Sequence, residues 1–114
     1  MATINIDRIL ETCIKKGASE VHLFVGSPPM LRLHGNLCEL KTASLNSENC
    51  VALMKSITPN RNQQDLLESG NTSFGFAFGD AGHFHVSAFN RNGNISIALR
   101  HDQDTRNSKL GTRY

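Results

Sequence analysis

His83, His85 and Ser87 recur at every second position of one short run, the spacing that puts side chains on one face of a β-strand. Two imidazoles so placed could chelate Zn²⁺ if a third ligand approached. No acid or cysteine is placed on their strand face by spacing, so histidines of an ordinary polar face are the plainer reading. Ser87 lies beside them, but neither a nucleophile elbow nor an oxyanion-forming loop accompanies it. A phosphate-cradling loop needs G-x-x-x-x-G-K-[ST], and the interval from Gly70 to Gly75 runs on into Phe76 instead. Gly75, Gly79 and Gly82 do not make a G-x-G-x-x-G fingerprint and suit a hairpin. Cys13, Cys38 and Cys50 contain no C-x-x-C pair, and three buried free thiols in a reducing compartment are expected. No set of nucleophiles, acids and bases is complete, so the chain by itself is expected to be no enzyme and to hold no metal or cofactor.

The elements that carry these residues follow from periodicity. Ile6, Leu10, Cys13 and Ile14, with Ile9 beside them, form one face of an amphipathic helix that Gly17 should stop. The period then changes to two. Val21, Leu23 and Val25 alternate with Glu20, His22 and Phe24, which describes a strand with one face on a core. Pro28 and Pro29 break it, and two further strands around Leu31, Leu33 and Leu37 should turn at Gly35-Asn36. A helix beginning near Ser44 or Ser47, with Cys50, Leu53, Met54 and Ile57 inward, precedes a short one through Leu66 and Leu67 that ends at Gly70. Phe74, Phe76 and Phe78, then Phe84, Val86 and Ala88, then Ile95, Ile97 and Leu99 read as a three-strand meander with its last turn at Asn92-Gly93. Helices gathered beside antiparallel strands predict an α+β fold, a two-layer sandwich with helices on one face of an antiparallel sheet.

The 114 residues suffice for one modest core and not for two domains. A net charge of +2, with no cluster of Lys and Arg on one face, argues against a nucleic-acid surface. No stretch approaches the ~18 apolar residues of a membrane span, and no signal peptide opens the chain, so a cytoplasmic protein is expected. From residue 101 to 114 only Leu110 and Tyr114 are large and apolar, a composition that suits a linker or a disordered tail.

Several short segments, in order, resemble the N-terminal domain of the PilT-type ATPases of pilus retraction and type II secretion. Gly17-Ala18-Ser19-Glu20-Val21-His22 is similar to the family's G-A-S-D-x-H segment, and Pro28-Pro29-Met30-Leu31-Arg32-Leu33-His34-Gly35 to P-P-x-x-R-x-D-G. Phe84-His85-Val86-Ser87-Ala88-Phe89-Asn90 resembles the F-R-V-N-x-F strand, and Ile97-Ala98-Leu99-Arg100 the closing V-L-R. The resemblance implies a PAS-like domain over residues 1–100, followed by the start of an interdomain linker. In such a parent a RecA-like motor domain binds ATP and Mg²⁺. The N-terminal domain packs on the motor of the same or a neighbouring subunit of a homohexamer, which works at the inner-membrane platform of a type IV pilus or secretion system.

The resemblance also implies that strand arginines of this domain reach the nucleotide phosphates. Arg100 stands at one such position and His85, fifteen residues before it, at another; His83 also stands where the family usually has an arginine. Histidine is mostly neutral near pH 7 and cannot make a bidentate contact, so phosphate sensing should be weaker here. His34 replaces an acid before Gly35. The expectation is a regulatory and oligomerisation domain without its motor. The alternative is a stand-alone PAS-like module that binds a ligand or a protein.

Overall fold

The computed structural model describes residues 5–79 and 82–101. Three helices and six strands follow one another: α1 (Ile6–Lys16), β1 (Glu20–Leu23), β2 (Met30–Leu33), β3 (Asn36–Glu39), α2 (Ser47–Ile57), α3 (Asn60–Ser69), β4 (Asn71–Phe78), β5 (Gly82–Arg91) and β6 (Asn94–His101). The strands form one sheet in the order β3-β2-β1-β6-β5-β4, antiparallel throughout. This is the α+β sandwich that the periodicities predict.

Local chemistry sets the helix ends. The Asn5 side chain accepts from the Asp7 N–H at 2.8 Å, and Gly17, with φ 74°, turns its own N–H back to the carbonyls of Cys13 and Ile14. At the start of α2, Asn46 and Asn49 cap each other: each side-chain oxygen accepts from the other's backbone N–H, at 2.7 and 2.9 Å. Pro59 precedes α3 without a side-chain cap. Asn62 instead ties that helix to the sheet by donating to Thr72 Oγ1 at 2.8 Å.

The helices cover one face. α2 packs on β6, α3 on β4 and β5, and α1 on β1. Val21, Leu23, Phe84, Val86, Ile97 and Leu99 from the sheet meet Leu10, Cys13, Cys50, Leu53 and Leu66 from the helices in one buried cluster. Each large apolar side chain buried in this way is worth about 1.5–3 kcal/mol. The half-buried Phe74, Phe76 and Phe78 extend the cluster along β4.

Three sequence expectations need correcting: the place of the first turn, the burial of Cys38 and the start of the tail. The first hairpin turns one residue earlier than Gly35-Asn36. Leu33 pairs with Asn36, and His34 (φ 51°) and Gly35 (φ 86°) are the turn residues, so His34 is not on a strand. Cys38 is exposed, not buried. It lies opposite the buried Leu31, but β3 is the outermost strand and all four of its residues are exposed. Of the leucine pair in α3, Leu66 is buried and Leu67 is 76% exposed, because adjacent positions on a helix lie about 100° apart. His101, which the composition groups with the tail, is the last residue of β6, and its ring stacks on Phe84 at 4.9 Å. Residues 102–114 lie outside the described residues.

Candidate functional site

The second face of the sheet carries the polar half of each strand's alternation. Val21, Phe84, Val86 and Leu99 point into the core, so Glu20, His22, His83, His85, Ser87 and Arg100 occupy the opposite side. Register then does what spacing alone cannot. Glu20 pairs with Arg32 on β2 and with Arg100 on β6, and Arg100 pairs with His85 on β5. The result is one row of side chains across four strands: Arg32, Glu20, Arg100, His85.

Within the row the charges divide unequally. Arg32 Nε donates to Glu20 Oε1 at 3.1 Å, and His22 Nε2 lies 2.9 Å from the same oxygen. The hydrogen bonds from His22 and then Arg32 hold the Glu20 carboxyl below its ordinary pKa. Arg32 also donates to the Gly35 carbonyl at 3.3 Å, which ties the row to the first turn. Arg100, by contrast, is exposed, and among the described residues it has no hydrogen-bond or ion-pair partner; the same holds for His83 and His85. A guanidinium left open in this way presents a planar fork of donors that suits a phosphate or carboxylate.

Two histidines one residue apart do share the face, as predicted, with His85 opposite Gly75 and His83 opposite Ala77. Neither neighbour is a ligand. Among the described residues no three His, Cys, Asp or Glu side chains gather into a set that could hold a metal ion. The buried thiols are inert by environment: burial pushes Cys13 up to about 11 and raises Cys50 as well.

The type IV pilus retraction ATPase PilT of Pseudomonas aeruginosa is 31% identical over 97 residues, which are 85% of this chain and 28% of that protein. Over 85% of its length this chain superposes on 29% of the crystal structure of the pilus retraction motor PilT with bound ADP, at a TM-score of 0.79 and 33% identity. The chain is homologous to the N-terminal domain of PilT-type ATPases. The type IV pilus ATPase PilU of the same organism is 22% identical over 97 residues. The Legionella pneumophila ATPase DotB shares the fold at a TM-score of 0.71 and 24% identity. No family model matches the chain. The chain spans between 25% and 29% of the length of these PilT-type relatives.

Sequence reasoning singled out Arg100, His85 and His83, and the fold brings the first two together across one strand pair. It missed the part played by Glu20, Arg32 and His22. Their alternation with Val21 and Leu31 places them on the polar face, but pairing across strands far apart in the chain was needed to see Glu20 between two arginines. Among the described residues no helix is long and apolar enough to cross a membrane.

Proposed function

We propose that this chain serves as the N-terminal regulatory and oligomerisation domain of a PilT-type ATPase, with its open sheet face turned toward nucleotide held by a RecA-like motor. The observation that carries this reading is the cross-strand pair of Arg100 and His85, with Arg100 exposed while the neighbouring acid, Glu20, is occupied by Arg32 and His22. Phosphate oxygens are the natural acceptors for such a fork. The motor would supply ATP, Mg²⁺ and the hydrolytic machinery, and this chain alone would turn nothing over. In the assembled parent, a cytoplasmic homohexamer at the inner-membrane platform of a pilus or secretion system, the domain would couple nucleotide state to rigid-body movement between subunits.

Full-length enzyme tests this directly. Arg100→Ala should lower ATPase activity, and His85→Arg, which restores a bidentate group beside Arg100, should raise it. Unchanged activity in both variants would remove the phosphate role. ATP turnover by this chain alone, surviving a control for contaminating ATPase, would remove the claim that it lacks activity of its own.

A further inference from the structure

The six phenylalanines divide sharply. Phe74, Phe76, Phe78 and Phe84 turn toward the helices, whereas Phe24 and Phe89 stand on the open face, 37% and 43% exposed. Both line the same depression, about 480 Å³ in volume. Phe89 pairs with Ser96, and Phe24 follows the Leu23–Ile97 pair, so the two rings flank Ser96 from the strands on either side of β6. Neighbouring strands lie about 4.8 Å apart, which sets the walls roughly 10 Å apart with the small side chains of Ser96 and Ala98 as floor. That spacing admits one flat ring between two others.

The backbone next to both walls is held in place. Behind Phe24, Gly26 donates to the Leu45 carbonyl at 2.8 Å and Leu45 returns a bond to the Ser27 carbonyl at 2.9 Å, with the Leu45 side chain buried. Beyond Phe89, Asn92 and Gly93 take positive φ in a tight turn closed by the Gly93 N–H on Asn90 Oδ1 at 3.1 Å. A cleft fixed in this way loses little entropy on binding.

Charge selects the occupant. Among the described residues, those lining the depression include Arg91 and His22 and no carboxylate. Among the described residues of the open face Arg32, Arg91 and Arg100 stand against Glu20 and Glu39, and Glu20 is already paired. A second copy of this chain stacked on the same face would bring like charges together, and a basic segment would meet repulsion. Exposed aromatic rings beside an arginine are the anchors that protein interfaces favour. We propose that the Phe24–Phe89 cleft is a docking site for an acidic protein segment that inserts one aromatic side chain between the two rings while its carboxylates face Arg91.

The chain has no Trp, so a probe carrying one can be followed by its own fluorescence. The probe is an acetylated, amidated pentapeptide with a central tryptophan flanked on each side by two glutamates, titrated into the whole 114-residue chain. Saturable binding with a blue shift is expected, weakened about ten-fold by Phe24→Ala or Phe89→Ala and several-fold by Arg91→Ala. In amide-resolved NMR the shifts should centre on Ser96 and Ala98, which also reports whether each variant is folded. Arg100, which does not line the cleft, should matter far less than Arg91: Arg100→Ala should weaken probe binding by less than about two-fold, so the test stands apart from the nucleotide reading. Four outcomes would overturn the proposal: no saturation, equal binding of the peptide with lysines in place of glutamates, equal binding by both phenylalanine variants, or self-association of the chain through this face.

Discussion

The two faces of this sheet are built from the same strands and follow different rules. On the covered face, alternate residues of β1, β5 and β6 meet three helices, and identity is dictated by volume and apolar surface. On the open face, one residue away along each strand, the side chains are arginine, histidine, glutamate and small residues, with two phenylalanines set at one end. The first face makes the fold; the second is free to carry charge and contacts because stability depends on it only weakly. A sheet with one solvated face can therefore change its histidines and arginines without losing its core.

The largest contrast is expected in thiol reactivity. Cys13 and Cys50 lie in the covered layer with raised pKa values, while Cys38 is exposed on β3. A thiol reagent should label one cysteine of the native chain rapidly. The other two should follow at least about a thousandfold more slowly, through unfolding. Three equally fast thiols would mean that the helical layer does not close.

Next comes a pair of identical substitutions on one strand. Phe84→Ala removes a ring that is 1% exposed and stacked on His101, and should cost about 3–5 kcal/mol in chemical denaturation. Phe89→Ala, on the other face of the same strand, should cost less than about 1 kcal/mol. Equal losses would erase the distinction between the faces. A smaller effect is expected at Gly82, where a Cβ would come within 2.6 Å of His101 Nε2. Gly82→Ala should destabilise by about 1–3 kcal/mol, and its loss should shrink when His101 is replaced by alanine.

The smallest effect belongs to the open face itself. Glu20 ionises below its ordinary range because His22 and Arg32 hydrogen-bond its charged form. Its contribution is therefore present above the ordinary carboxylate pKa and lost as the pH falls through the lowered value. Glu20→Gln should cost less than about 1 kcal/mol at neutral pH and flatten the acid limb of stability against pH, which thermal melts at stepped pH would record. An unchanged limb would show that Glu20 is not coupled to His22 and Arg32.

Most of the covered face was legible in the sequence, because a period of 3.6 or 2 reports directly which side chains must be hidden. Gly17 and Gly70 marked two helix ends for a physical reason, since both adopt positive φ there. The open face was legible only as a list of polar positions. Its row depends on β1 pairing with β6, which no local pattern encodes, and its cleft depends on Phe24 lying beside Ser96. Phe24 and Phe89 looked like any apolar residue of an alternating strand until their neighbours were known. The turn at His34-Gly35 was misplaced by one residue because Gly35-Asn36 has equally good turn chemistry, and pairing of Leu33 with Asn36 decided between them.

The pairing of β1 with β6 joins Glu20 to Arg100 and Leu23 to Ile97, residues from opposite ends of the described chain. Loop closure over such a separation is a slow, late step in folding. A ribosome must release nearly the whole domain before β1 finds its second neighbour. Until then β1 has an unpaired edge and is open to pairing with another nascent chain. Arg100 sits on the strand that closes that edge, so its place in the row and the completion of the fold are the same event.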